Sequence, residues 1–152
     1  MQTVESHGFK IPIIGLGTWE LRGRECTRLV EQAIRLGYRH IDTAQAYANE
    51  AEVGEGVRAS GKRSEVMVAT KVAHGSLAPR ELERSVKDSL HKLRLDIIDL
   101  LLIHWPNERV PLAETLGAMA KAKSEGYVKQ IGVSNFTVAL LDEATKVTSE
   151  PI

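Results

Sequence analysis

Asp42, Tyr47, Lys71 and His104 put an acid, a phenol, an amine and an imidazole at or just beyond the ends of short apolar runs. Lys71 directly follows Val66-Met67-Val68-Ala69-Thr70, and Asp42 closes another such run. Charges in those places are part-buried, which is costly unless they pair. Pairing Asp42 with Lys71 removes that cost and sets a cation near Tyr47. A neighbouring cation favours the deprotonated phenol, so the side chain can hand a proton to a developing alkoxide near neutral pH. His104 can hydrogen-bond the same oxygen and orient it. Taken singly, each residue has a plainer reading: a structural strand-end acid, a loop tyrosine packing its ring, a snorkelling lysine, a hydrogen-bonded core histidine. Only the four together point to proton transfer.

Such a set needs elements that deliver every member to one face. Short β-rich runs recur at Ile13–Thr18, Tyr38–Thr43, Val66–Val72, Ile97–His104 and Val128–Ser134. Between them lie amphipathic stretches at Arg24–Leu36, Glu50–Ser60, Pro79–Leu93, Leu112–Glu125 and Thr137–Val147. In the third, Leu82, Val86, Leu90 and Leu93 recur at helical spacing opposite Glu81, Arg84, Lys87 and Asp88. Nearly continuous apolar strands suit a parallel sheet covered on both faces. Gly37, Gly61 and Gly126 each follow a helix, where glycine readily closes the last turn. The pattern is a βα unit repeated five times, which predicts a parallel α/β sheet, doubly wound or closed as a barrel. Gly15-Leu16-Gly17-Thr18 lacks the glycine-rich turn that opens a dinucleotide-binding helix, which favours the barrel.

In a (β/α)8 barrel the reactive residues stand at the C-terminal strand ends. There the sequence places Thr18 and Trp19, Asp42 and Tyr47, Lys71, His104 and Trp105, and Ser134 and Asn135. The remaining candidates read as spectators. His7, His74 and His91 have no metal-ligand spacing and are expected on the surface, His40 is expected to point away from the site, and Asp99 is expected to be a buried, hydrogen-bonded acid. Cys26 opens a helix, where a thiol can be activated, but it has no catalytic partner. Lys121–Glu125 reads as a solvated helix face.

The chain has 152 residues, with 20 Lys+Arg balancing 20 Asp+Glu, enough for a substantial core and unpromising for nucleic acid or an anionic membrane as partner. The single cysteine excludes an internal disulfide and a cysteine-built zinc site. The first residues carry neither the basic end nor the apolar run of a signal peptide, and Ile97–Trp105 is too short to span a membrane, so a cytoplasmic protein is expected. A complete (β/α)8 barrel needs about 250 residues. Residues 1–152 are therefore expected to be the N-terminal part of one such barrel domain, its first five βα units. The rest would come from a longer chain, or from association if the half-barrel stood alone. A complete barrel would be a monomer.

Five motifs then carry a resemblance to the aldo-keto reductases: the opening Pro12…Gly15-Leu16-Gly17-Thr18-Trp19, His40-Ile41-Asp42-Thr43-Ala44 with Tyr47 and Asn49-Glu50, Thr70-Lys71, Leu102-Ile103-His104-Trp105-Pro106, and Ile131-Gly132-Val133-Ser134-Asn135-Phe136. Asp42-Thr43-Ala44-Gln45 and the short loop Asn107–Pro111 are most similar to the bacterial 2,5-diketogluconate and methylglyoxal reductase branch. The resemblance implies NADPH-dependent reduction of small aldehydes and ketones, NADH not excluded, by direct hydride transfer without a metal. It implies Tyr47 as general acid tuned by Lys71 and Asp42, with His104 positioning the carbonyl. Ser134 and Asn135 would hold the nicotinamide carboxamide, with Thr18 and Asp42 near the ribose. Trp19 and Trp105 would wall the substrate pocket beside Tyr47 and His104. The family pattern has Gly where this chain has Ala48, so a slightly different loop is expected. Two other functions stay open: a non-catalytic half-barrel acting as an assembly module, and a redox-sensing binding subunit.

Overall fold

The structure is a computed structural model that describes residues 2–152. It opens with an antiparallel hairpin, β1 (Thr3–Ser6) and β2 (Phe9–Pro12). This hairpin is absent from the sequence reading. Every β1 side chain is exposed, so no burial pattern marks the strand. Its turn is made by His7 and Gly8 at φ 51° and 78°, the two positive values of a two-residue turn whose twist suits a hairpin. Ile13 belongs with this element too, since its N–H donates to the Gln2 carbonyl. The first expected strand therefore shrinks from Ile13–Thr18 to β3 (Leu16–Gly17).

The main body follows the expected alternation: α1 (Gly23–Arg35), β4 (His40–Asp42), α2 (Glu50–Ala59), β5 (Met67–Val72), α3 (Pro79–Leu93), β6 (Ile98–Ile103), α4 (Leu112–Ser124), β7 (Val128–Val133) and α5 (Val138–Val147). The five strands β3 to β7 are all parallel and lie side by side in chain order. Each helix packs on the next, α1 on α2 through to α4 on α5. Unreversed strand order with right-handed crossovers puts every helix on the same face of the sheet. That is the arrangement of a barrel wall and not of a doubly wound sheet.

The core lies between that wall and the helices. Ile41, Val68, Leu101, Ile103 and Ile131 meet Val30, Ile34, Val53, Leu82, Val86, Leu116 and Met119, all essentially sealed from solvent. Burial on both faces holds for β5 but not for β6, where Leu100 and Leu102 on the inner face are only half-buried. The helices approach tightly. A Cβ added at Gly54 of α2 would lie 2.1 Å from the Leu93 carbonyl oxygen at the end of α3. Asp99 is buried as expected, at the N-terminal end of β6. It accepts from the Val68 N–H at 2.9 Å and pairs with Arg63 at 2.8 Å and Lys129 at 2.6 Å.

Candidate active site

The sheet ladder runs one rung beyond β3, β4, β6 and β7, where Thr18, Thr43, His104 and Ser134 sit, while Asp42 and Lys71 lie in the last two positions of β4 and β5. The Thr18 N–H donates to the Asp42 carbonyl, Thr43 to Ala69, His104 to Val72 and Ser134 to Ile103. Backbone bonds of 2.9–3.2 Å thus fix the C-terminal edge to which the sequence assigned the chemistry. Inside β5, Val68 and Thr70 face the helices while Lys71 faces the opposite, inner side, as the two-residue period of a strand requires.

Three of the four candidates touch directly. Lys71 is 7% exposed. Its Nζ donates to Asp42 Oδ2 at 2.7 Å, to the Thr43 carbonyl at 2.9 Å and to Tyr47 Oη at 3.4 Å. An ammonium has three N–H groups, and each has an acceptor, which is what a buried cation needs. The same Nζ stands 5.0 Å from the centre of the Tyr47 ring. His104 completes the set, its ring meeting that of Tyr47 edge-on at 5.5 Å between centroids. Burial holds the His104 imidazole below the ordinary histidine range, and the Lys71 charge pushes it further down against a weaker pull from Asp42. It is therefore neutral at pH 7 and has an N–H to offer an oxygen.

The turn that carries Tyr47 is a single 3-10 turn, Gln45–Tyr47, closed by Ala48 in the left-handed conformation at φ 54°. Alanine thus adopts the left-handed backbone geometry that glycine takes freely. The strain, about 1–2 kcal/mol, is offset by ties around it that the sequence reading missed. Asn49 Nδ2 donates to the carbonyls of Thr18 and Leu21, and its Oδ1 accepts from the Thr43 hydroxyl. Arg22 Nη1 donates to the Tyr47 carbonyl at 3.3 Å. Gln45 Oε1 accepts from the Ala73 N–H, and its Nε2 donates to Ser89 Oγ and the Ser85 carbonyl. The available signal was position: Gln45 and Asn49 flank Tyr47 at two residues on either side.

Behind the wall, Glu50 is 2% exposed and accepts from the Thr70 hydroxyl at 2.7 Å. Burial raises its carboxyl above the usual range, opposed by hydrogen bonds from Thr70 and Ser89 and by the Lys92 charge. A folded-state pKa above the unfolded one favours folding below pH 4.5, and that gain is lost as the pH rises through the folded value. Glu50→Gln keeps the acceptor for Thr70 without the charge. Its melting temperature should exceed that of the unsubstituted protein at pH 7, and the gap should close toward pH 4. A variant less stable than the parent at pH 7 would contradict this.

The other expected site residues are placed as follows. Among the described residues Asp42 Oδ1 has no hydrogen-bond partner. Thr18 is fully buried and its hydroxyl donates to the Asp42 carbonyl at 3.0 Å, so it acts on the site through Asp42. Asn135 Nδ2 donates to the His104 carbonyl at 2.7 Å and to Ser134 Oγ at 3.1 Å. Both amide hydrogens are thereby used, leaving Asn135 Oδ1 as an acceptor beside the Ser134 hydroxyl as a donor. Trp19 and Trp105 are 68% and 54% exposed, so neither is a core aromatic.

His40 corrects the sequence reading. Residues two apart share a strand face, so it faces the same way as Asp42, lower in the wall, with Nδ1 3.4 Å from the Pro12 carbonyl oxygen and a buried Nε2 that has no partner among the described residues. Cys26 is sealed, and burial pushes its thiol up to about 11, helped by Glu52, which disfavours the reactive thiolate. His7, His74 and His91 are exposed. Among the described residues there is no cluster of His, Cys, Asp or Glu fit to hold a metal, and no helix long and apolar enough to cross a membrane. A cavity of about 560 Å³ between the β6–α4 loop and the start of α5 is lined by Pro106, Arg109 and Phe136 among others, and by none of the four candidates.

Comparison with known proteins agrees with this fold. The methylglyoxal reductase DkgB of Yersinia pestis is 45% identical over 137 residues, covering 88% of this chain and 51% of that protein. A crystal structure assigned to a 2,5-diketo-D-gluconic acid reductase B superposes with a TM-score of 0.97 at 45% identity, over 100% of this chain and 54% of the other. The aldose reductase of Schistosoma japonicum superposes with a TM-score of 0.93 at 31% identity, over 99% of this chain and 58% of that one. The chain thus spans about half the length of the curated relatives it matches, and its sheet is a partial (β/α)8 barrel. The model of the Aldo/keto reductase family matches residues 13–151, nearly all of the sequence that builds this wall and its rim, and the chain belongs to that family.

Proposed function

We propose that this chain supplies the proton-donating side of a reductase that converts small aldehydes and ketones to alcohols with NADPH, and that residues 1–152 are the N-terminal part of its single barrel domain. The observation that carries the reading is the Lys71 ammonium held at once by Asp42, Thr43 and Tyr47. A cation fixed there stabilises the phenolate left when Tyr47 Oη gives its proton to the carbonyl oxygen. Asp42 keeps that cation in place and offsets its burial. His104, neutral and edge-on to the Tyr47 ring, donates an N–H to the same oxygen and sets its position.

The donor and acceptor left free at the rim match a nicotinamide cofactor. The Ser134 hydroxyl can donate to a primary carboxamide oxygen and Asn135 Oδ1 can accept from its NH2, while Asp42 Oδ1 can accept from a ribose hydroxyl. When bound, such a cofactor supplies the hydride for the carbonyl carbon. Trp19 and Trp105, exposed at the same rim, give apolar area for excluding water around the substrate. The relatives named for methylglyoxal and 2,5-diketogluconate reduction make small dicarbonyl compounds the first substrates to try. A cytoplasmic location fits residues 1–152 having one cysteine, buried and with no second cysteine to bridge.

The test is cofactor oxidation, followed by absorbance at 340 nm, with the full-length protein and methylglyoxal. The expected result is carbonyl-dependent oxidation of NADPH, faster than that of NADH. Protein that binds either cofactor yet oxidises neither with any of a panel of small aldehydes and ketones would overturn the proposal.

A further inference from the structure

We propose that Gln45 is a positioning residue for the proton donor: its side-chain amide sets the reach between Tyr47 Oη and Lys71 Nζ by tying the turn that carries one to the strand that carries the other. The inference rests on the reading of Tyr47 as general acid.

Tyr47 and Lys71 come from separate segments, and only two kinds of contact can fix their separation. One is the direct 3.4 Å contact between Nζ and Oη, too long and too weak to hold a turn by itself. The other is whatever joins the two backbones. Gln45 opens the Gln45–Tyr47 turn. Its Oε1 accepts at 2.8 Å from the N–H of Ala73, two residues beyond Lys71. Its Nε2 donates at 3.0 Å to Ser89 Oγ and at 3.2 Å to the Ser85 carbonyl, both on α3, the helix that follows the lysine strand. Both amide hydrogens and the carbonyl oxygen are thus used, joining residues 28, 40 and 44 positions apart in sequence. The opposite flank of the turn is tied elsewhere, because Asn49 holds it to Thr18 and Leu21 at the end of β3. Gln45 is therefore the residue within the turn whose side chain ties it to the β5–α3 segment, while the Thr70 hydroxyl of β5 holds Glu50, three residues beyond Tyr47. The turn is under load at this point: Ala48 stands in a left-handed conformation, with its N–H on the Gln45 carbonyl at 3.2 Å.

Losing this link lets the turn relax by a fraction of an ångström to about 1 Å without removing any group that touches the reactants. Misplacement on that scale costs up to about 10²-fold in rate. Gln45→Met keeps the length and volume of the side chain and removes all three hydrogen bonds. In the full-length protein it should lower kcat about 10- to 100-fold, with the KM for the carbonyl and the cofactor Kd changed less than about threefold, as expected when an interaction realised in the transition state is lost. Gln45→Glu keeps the acceptor for the Ala73 N–H and can accept from the Ser89 hydroxyl instead of donating to it, but loses the donor to Ser85. It should recover part of the rate, between Gln45→Met and the parent.

The decisive readout is non-additivity. If Gln45 acts through Tyr47, adding Gln45→Met to Tyr47→Phe should leave the residual rate unchanged, since the group being positioned is already gone. An undiminished kcat in Gln45→Met, a rise in KM alone, or an equal further loss on the Tyr47→Phe background would each overturn the assignment. If Gln45→Met does not fold, a Gln45→Glu variant with full kcat overturns it equally. Near-parent turnover in Tyr47→Phe rejects the general acid itself, whereas loss in Tyr47→Phe with full rate in Gln45→Met rejects only the positioning role.

Discussion

Replacing Tyr47 by Phe should reduce the rate of carbonyl reduction by roughly 10²–10⁴-fold, the span ordinarily contributed by a positioned general acid, with cofactor affinity held within about twofold. The substitution removes one oxygen and little else. The ring stays, with its edge-on contact to His104 at 5.5 Å and the Lys71 ammonium 5.0 Å from its centre. Lys71 loses the weakest of its three acceptors and keeps Asp42 at 2.7 Å and Thr43 at 2.9 Å. The backbone ties of the turn, from Gln45, Asn49 and Arg22, do not involve the hydroxyl. The fold and the proposed cofactor contacts at Asp42, Ser134 and Asn135 are thus left alone while the transferable proton disappears. Lys71→Met would be a poorer test. It would strand Asp42 without its cation and open a buried site, so a fall in rate would mix catalysis with stability. Cofactor titration by fluorescence beside steady-state kinetics separates the two quantities for Tyr47→Phe, and turnover near that of the parent would reject the mechanism.

What the sequence made legible follows from what leaves a local trace. Lys71 stands out because a charge directly after five apolar or small residues must find a partner, and Asp42 is the acid at the corresponding end of the neighbouring strand. The helices were readable from the spacing of residues such as Leu82, Val86 and Leu93, all of them buried. The clamps on the Tyr47 turn leave no such trace. Gln45 and Asn49 act on residues 28 to 44 positions away, and neither spacing nor hydropathy marks the partners. Thr18 shows the same limit from the other side. The resemblance set it near a cofactor ribose, and nothing in its position announced that its hydroxyl turns onto the Asp42 carbonyl. The hairpin of β1 and β2 was invisible because it buries almost nothing, and periodicity reports burial. Ala48 reveals a different gap: a left-handed residue is costly in isolation, but tertiary ties decide whether it is adopted.

The second large effect expected concerns stability at the opposite end of the barrel wall, where Asp99→Ala should cost about 3–5 kcal/mol, the usual consequence of removing one partner from a buried ion pair. Asp99 has a side chain only 6% exposed between Arg63 and Lys129, and it also accepts from the Val68 N–H at 2.9 Å. Its loss therefore orphans a strand N–H and frees two cations at once. The three members of this cluster should differ in rank. Lys129 is 48% exposed and can return to water, so Lys129→Ala should cost about 1 kcal/mol or less. Arg63 lies between, because besides Asp99 it holds the carbonyl oxygens of Val66 at 2.7 Å and Ile97 at 3.1 Å. Denaturant midpoints for the three variants test the order Asp99, Arg63, Lys129, and equal losses for Asp99→Ala and Lys129→Ala would refute it. The residue sits at the N-terminal end of β6, five positions from His104, on the face turned toward the helices. In barrels of this kind that end carries stability and the C-terminal end carries chemistry. Asp99→Ala should accordingly lower the midpoint while the turnover of the remaining folded protein stays close to that of the parent, the reverse of the pattern expected for Tyr47→Phe.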